Sequence, residues 1–345
     1  MKRNAQLALQ RGALLKLNYL SAINAALDTT FDPSFREVDR HGVITEVNAD
    51  LLTEGTTREA LTTYAVGYNQ GTFDADLEFL APSVPVGRRF SYKTHNNTEA
   101  FFASLTDDLR PIGGDFKQVE YTKEEVEAKT SNRGLQIRVD ADQVADVPNW
   151  EEHYTGMLMR RLQLNKLRRA IAALSAAAVN TGKTWDTTAG KDPDQDVNSE
   201  LIAGADASGV NSNRIAYSPT AWAKRILAHR AQNTAGGFAS AGMSAAELAA
   251  FLNVEGVLRC DARYATSSSA KAQALGALVL MFNAMSNPTV EDSSNIKAFY
   301  SMCSNGQKVQ VHRWDVGAKA HYIAVEHYEK TAITSTLGIR QLTIS

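Results

Sequence analysis

The stretch that most limits what this chain can become runs from residue 85 to residue 180. Pro148-Asn149 is a helix start, and Glu151 and Glu152 fall in the first turn, where the helix dipole favours carboxylates. Leu158, Leu162, Leu167, Ile171 and Leu174 then recur at helical spacing and make one apolar stripe. The far end is small (Ala170, Ala172, Ala173, Ala176, Ala177, Ala178), which permits close packing. The pattern predicts one helix from about Asn149 to Asn180, roughly 45 Å long, when most globular helices are about a third of that. Upstream, Val86 to Tyr92 is basic and strand-like, with Phe90 and Tyr92 on one face and Arg89 and Ser91 on the other. His95-Asn96-Asn97-Thr98 turns the chain, and residues 99 to 116 form a polar loop ending in Arg110-Pro111-Ile112-Gly113-Gly114-Asp115. Gln118 to Thr122 reads as the returning strand, and the alternation of Leu135, Ile137 and Val139 as another. A two-stranded flap beside a long amphipathic helix suits the holding of neighbours better than the conversion of a substrate.

The remaining segments supply context. Residues 1 to 28 have helical apolar spacing, residues 29 to 57 are turn-rich, and a helix is expected from Thr57 to about Asn69 with Glu59 in its first turn. These nearly eighty residues lack a core of their own and read as an arm that packs on something else. Phe79-Leu80-Ala81-Pro82-Ser83-Val84-Pro85 enters extended chain, because each proline excludes its predecessor from the helical region. Residues 181 to 213 are rich in Gly, Asp, Asn and Ser and mark a change of subdomain. Ser218-Pro219 caps a helix, and Ser244 with Glu247 forms a capping box for the next. Strands are expected at Val257–Cys260, Leu278–Phe282, Lys297–Met302, Val309–Trp314 and His321–Ile333. Helices in the middle and strands at the end argue for the α+β class.

Composition narrows the function. The chain has 345 residues, 44% hydrophobic and 21% charged, enough for one large or two medium domains. Its net charge of −2 lacks the basic excess of a protein that grips nucleic acid over its whole surface, so any such contact is local or weak. Cys260 and Cys303 are expected as free buried thiols in a reducing compartment. The N-terminal twenty residues are too polar for a signal peptide or a membrane span.

No catalytic, cofactor or metal motif emerges. Thr181-Gly182-Lys183-Thr184 matches the end of a phosphate-binding loop, but Ala177 stands where its first glycine belongs and a helix precedes it; a helix exit into a loop is the expected reading. His321 and His327 with Glu326 and Glu329 gather metal-ligand types, yet two residues six apart on a strand lie about 20 Å from each other, so an exposed strand face is the expected reading. Gly-x-Ser-x-Gly and Gly-x-Gly-x-x-Gly are absent from the sequence. Arg160, Arg161, Lys166, Arg168 and Arg169 make a basic set on the long helix, either a solvated face or a contact with an acidic partner or polyanion. Phe101, Phe102 and Leu109, in an otherwise polar loop, point to burial on a partner.

This order of parts resembles the major capsid proteins of tailed bacteriophages, the Johnson or Hong Kong 97-like fold. The resemblance covers roughly residues 58 to 345 and is carried by Phe79 through Val86, Arg110 through Phe116, Tyr121-Thr122-Lys123-Glu124-Glu125, and the helix from Trp150 through Arg169 to Asn180. It implies an N-terminal arm (1–87), an extended two-stranded loop (88–133), a peripheral domain with a spine helix (134–180 plus 309–345) and an axial domain (181–308). It further implies a non-enzymatic subunit, without cofactor, metal or membrane attachment, that self-assembles into hexamers and pentamers of an icosahedral shell. That shell would enclose double-stranded DNA without sequence-specific binding, with scaffold, portal and decoration proteins as partners and assembly in the host cytoplasm. Phe101, Phe102, Leu109, Arg110, Asp115, Lys117, Arg160 and Arg161 are the expected inter-subunit contacts. Only about sixty residues precede the matched region, so removal of a long N-terminal scaffolding segment is not expected. An encapsulin-like compartment shell, a cytosolic enzyme and a tail-tube protein are the alternatives.

Overall fold

The computed structural model describes residues 37–38, 44–45, 58–67, 72–95, 110, 112–115, 124–317 and 319–345. Strands β1 (Glu37–Val38) and β2 (Ile44–Thr45) pair antiparallel. The helix expected from Thr57 to Asn69 is present as Glu59–Gly67. A second helix, Thr72–Leu80, was not expected from sequence, and its last two residues, Phe79 and Leu80, fall in the stretch read as the entry into extended chain. Its Leu77 and Leu80, three apart, are buried together with Ala81 just after it, and Pro82, two residues beyond Leu80, keeps the helix from continuing. The chain continues through β3 (Ser83–Pro85), β4 (Arg89–Thr94), β5 (Glu124–Lys129) and β6 (Ser131–Asp140). Gln118–Thr122, the expected return strand, and the helix expected over residues 1 to 28 lie outside the described residues.

After a one-turn helix (Ala141–Val144), the long helix spans Trp150–Ala177. Asn149 precedes it in a left-handed conformation (φ 56°) and makes no side-chain cap, so it is a turn residue and not the cap its position implied. The helix ends before Asn180 because Val179–Lys183 forms strand β7. Thr181-Gly182-Lys183 is therefore sheet, not a helix exit into a loop. The pairing partner, at the C-terminus, is too distant for any local pattern to reveal.

A helix over Pro193–Ser208, not expected from sequence, lies inside the segment 181–213 read as a change of subdomain. Asp192 caps it, Pro193 opens it and Gly209 (φ 69°) closes it in the left-handed region, so the boundary signals were there. Then come β8 (Arg214–Tyr217) and helices Pro219–Ala231, Ala235–Gly242 and Ala245–Phe251. Ser218 caps the first, and Ser244 and Glu247 make both bonds of the expected capping box. The chain ends with β9 (Gly256–Arg259), β10 (Arg263–Ala265), β11 (Lys271–Gln273), β12 (Leu278–Phe282), β13 (Ile296–Ser301), β14 (Val309–Val316), β15 (Ala320–Ile333) and β16 (Arg340–Ile344).

Two sheets organise the molecule. In the first, β15 is the axis. β14 pairs with its first half (Val316↔Ala320 to Val309↔His327) and β13 with its second (Ser301↔Tyr328 to Ile296↔Ile333). On the other edge β6 pairs with residues from both halves, and β3 adds in parallel to β13. The second sheet has the order β7-β16-β12-β8-β9. Strand pairing thus divides the chain differently from the sequence-based segments. β13, inside 181–308, belongs to the first sheet, and β16, inside 309–345, sits between β7 and β12 in the second.

The long helix serves both sheets. Near its start Leu158, Met159 and Leu162 pack with Leu61 and Ala65 on Val311, Ile323 and Val325. Farther on, Leu167, Ala170, Ile171 and Leu174 meet Leu77, Leu80, Leu280, Phe282 and Ala298. Period-two alternation in β12 sends Leu280 and Phe282 to this core and Val279 and Met281 to a separate one with Trp185, Trp222 and Leu248. Each fully buried leucine stabilises the helix's seat by about 1.5–3 kcal/mol.

Candidate functional site

The root of the β4–β5 ribbon is the best-defined part of the flap. Phe90 and Tyr92, on one face of β4, lie opposite Ala128 and Val126 of β5. Both rings rest on Phe299 of β13, with centroids 4.7 and 5.4 Å away, in a cluster with Val84 and Ala332. Thr130, between β5 and β6, donates its N–H to Arg88 O (3.0 Å), and its hydroxyl lies 2.9 Å from that of Ser301. At the other end Lys93 Nζ pairs with Glu291 Oε1 (3.2 Å), and His95 N–H donates to Thr334 O (2.9 Å). The Glu291 loop is itself pinned by fully buried Lys297, whose ammonium donates to Val290 O (3.1 Å) and Asp292 O (2.7 Å) and lies 3.3 Å from Asp292 Oδ2. The ribbon therefore leaves the body from a fixed aromatic and ionic root.

A second constellation locks the long helix to the same sheet. Glu329 of β15 is 1% exposed and receives Arg169 (2.9 Å), Lys166 (3.6 Å) and His327 (3.1 Å). Burial alone would raise its carboxyl, but the His327 hydrogen bond and the Lys166 and Arg169 charges outweigh burial and hold it well below the usual carboxylate range. Two members of the basic set are thus turned inward. Arg168 lies with its guanidinium 3.6 Å over the Tyr264 ring, and Arg160 and Arg161 are exposed.

The other candidates resolve into packing. His321 pairs with Asp315 and lies against Trp150, while His312 meets Glu326 on the opposite face of β15 from His327 and Glu329. Among the described residues no cluster of three or more His, Cys, Asp or Glu is placed to hold a metal ion. Cys260 and Cys303 are free and buried, and burial pushes their thiols up to about 11 and about 12. A cleft of about 400 Å³ between the two short helices, the long helix and the sheet is lined by Leu77, Met159, Leu162, Gln163, Lys166 and His327. Three of its polar groups have partners: Lys166 and His327 hold Glu329, and Gln163 donates to Asp74 (3.0 Å).

Beside the second sheet, Asp194 is held bidentately by Arg225 (2.6 and 2.8 Å), and His229 lies 3.1 Å away, all buried. The brace ties helix 193–208 to helix 219–231. Sequence reading missed it, because partners 31 and 35 residues apart carry no local signature.

Of the expected contact residues, Phe101, Phe102, Leu109 and Lys117 lie outside the described residues. Arg110 and Asp115 are exposed, and Arg110 Nε donates to Gly114 O (2.6 Å) across a turn in which Gly113 takes φ 80°. Ile112, in that turn, is fully exposed and was not singled out; an apolar residue between Pro111 and Gly113 was its signal.

No family model matches the sequence, and no curated protein does. Solved structures do. A phage-related protein from Bordetella bronchiseptica superposes with TM-score 0.60 at 22% identity, covering 83% of this chain and 96% of that one. The putative capsid protein of an Escherichia coli CFT073 prophage gives 0.45 at 11% identity, covering 84% and 99%. The capsid of cyanophage P-SCSP1u gives 0.46 at 11% identity, covering 78% and 87%. The first of these shows that the chain shares an α+β fold with the Bordetella phage-related protein.

Proposed function

We propose that this chain is a major capsid protein with the Hong Kong 97-like fold, a structural and non-enzymatic subunit that assembles with copies of itself into hexamers and pentamers of an icosahedral phage head around double-stranded DNA. The observation that carries this reading is the fold shared with the phage-related protein over 83% of the chain. The geometry fits the task. A ribbon fixed at Phe299 and Glu291 is an arm whose direction is set by its own subunit, so it can reach a neighbour without a large ordering cost. The loop it carries, with Arg110, Ile112 and Asp115 exposed and Phe101, Phe102, Leu109 and Lys117 in the same segment, is the proposed lapping contact. The long helix joins both sheets into one frame, so load on the ribbon root passes to the second sheet.

In this reading residues 1–87 are the arm, 88–133 the lapping loop, 134–180 with 309–345 the peripheral domain and 181–308 the axial domain, with β13 and β16 exchanged between the last two. Many individually weak contacts let misplaced subunits leave and make a closed shell stable. Scaffold, portal and decoration proteins are further proposed partners. Among the described residues no helix is long and apolar enough to cross a membrane. Sedimentation of the purified chain tests the proposal: boundaries many times heavier than the 37.5 kDa subunit support it, and a species that stays monomeric or dimeric at high concentration and on co-expression with a scaffold overturns it.

A further inference from the structure

Charge on the long helix is segregated to a degree the net charge of the chain conceals. From His153 to Trp185, 33 residues, the sequence holds no Asp or Glu and six cations, Arg160, Arg161, Lys166, Arg168, Arg169 and Lys183, for a formal +6 in a chain of net −2. The structure divides the six. Lys166 and Arg169 turn inward to Glu329, and Lys183 pairs with Asp196 (2.9 Å). Arg160, Arg161 and Arg168 remain on the outward face, where the helix offers no carboxylate three or four residues away. Arg161 and Arg168, seven residues apart, line up within about 20° and lie about 10 Å apart along the axis. Neither makes an ion pair among the described residues, and Tyr264 holds the Arg168 guanidinium flat at 3.6 Å.

The occupant must bring dense negative charge. The ribbon of a second copy is a poor candidate, since the outward positions of β4 and β5 carry Arg89, Lys93 and Lys129 against Glu125 and Glu127. Arginine, with its planar fork, matches phosphate oxygens in pairs, and a local cationic stripe suffices for contact that reads no sequence. We infer that the outward face of the long helix, anchored by Arg161 and Arg168 and flanked by Arg160, contacts the phosphate backbone of double-stranded DNA. The inference rests on the shell reading for the identity of the polyanion. It places Arg160 and Arg161 toward the enclosed nucleic acid, not at the subunit contacts expected from sequence.

The test is fluorescence anisotropy of a labelled duplex of arbitrary sequence, titrated with the full chain as unassembled subunits, whose helix face is open to the duplex, over a series of salt concentrations. R161Q/R168Q should weaken binding about tenfold or more at low salt and flatten the plot of log K against log salt by about 1.8, two cations at about 0.9 each. R161K/R168K should keep the slope. Circular dichroism checks that the helix persists in both variants. An unchanged slope and affinity in R161Q/R168Q overturns the inference. So does loss of particles with unchanged DNA affinity, which makes the face a subunit contact. Failure of the shell reading is seen separately, as absence of particles from the unmodified chain.

Discussion

Asp76 is a buried acid at a junction, and replacing it with asparagine should stabilise the subunit in a pH-dependent way. It sits on helix Thr72–Leu80, whose Leu77 and Leu80 pack into the core shared by the long helix and the second sheet, and whose last carbonyls, Phe79 O (2.8 Å) and Glu78 O (3.3 Å), accept from Arg214. Asp76 is 7% exposed and makes no ion pair among the described residues. Burial first, and then the neighbouring Asp261 charge, push its carboxyl up to about 6 from an ordinary 3.8. The folded state therefore binds the proton more tightly than the unfolded chain. Stability is greatest below the ordinary value, falls as pH rises from about 4 to about 6, and carries a constant penalty above that. The rise of about 2 units, at about 1.4 kcal/mol each, sets a ceiling of about 3 kcal/mol, and solvent relaxation leaves an expectation of about 1–3 kcal/mol. D76N removes the charge and keeps the shape. In urea unfolding of the unassembled subunit, it should be more stable than the parent by that amount at pH 8, and the gain should shrink toward zero near pH 4. A gain that does not vary with pH, or a loss at pH 8, refutes the reasoning.

Three further outcomes are expected. E329Q should destabilise the subunit by about 3–5 kcal/mol at pH 7, because Lys166 and Arg169 lose the one buried carboxylate that holds them. Since the Glu329 carboxyl is depressed on folding, its contribution is present above the ordinary carboxylate value and lost as pH falls through the folded one, so urea midpoints of parent and variant should converge in acid. F299A removes the platform under Phe90 and Tyr92; a loss of about 3–5 kcal/mol is expected, with proteolytic cleavage in the ribbon accelerated ahead of the long helix. F101S/F102S should give a subunit of unchanged circular dichroism and urea midpoint that no longer forms large assemblies in size-exclusion chromatography.

How much was legible depended on the range of the physics involved. The long helix, the capping box at Ser244 and Glu247, the cap at Ser218 and the five expected strands between Val257 and Ile333 were readable because their signals are local: periodicity, a cap and proline; the three-residue strands β10 and β11 between them were too short to show a pattern. Helix Pro193–Ser208 carried equally local signals at Asp192, Pro193 and Gly209, but the surrounding glycines and polar residues masked them. β7 and β16 were not readable, since each is only five residues long and the two pair with each other across about 160 residues of sequence. Glu329 was expected on an exposed strand face, but it is 1% exposed, and only the register of β15 against the long helix shows it as a buried ionic lock. The inward turn of Lys166 and Arg169, and the outward turn of Arg161, likewise depend on which face of the helix meets the sheet.

The most direct test of the central claim is negative-stain electron microscopy of the purified recombinant chain, with size-exclusion chromatography beside it. Closed polyhedral particles, or free hexamers and pentamers, are the expected result. A uniform monomer, dimer or open rod, unchanged by concentration or by co-expression with a scaffold, contradicts it.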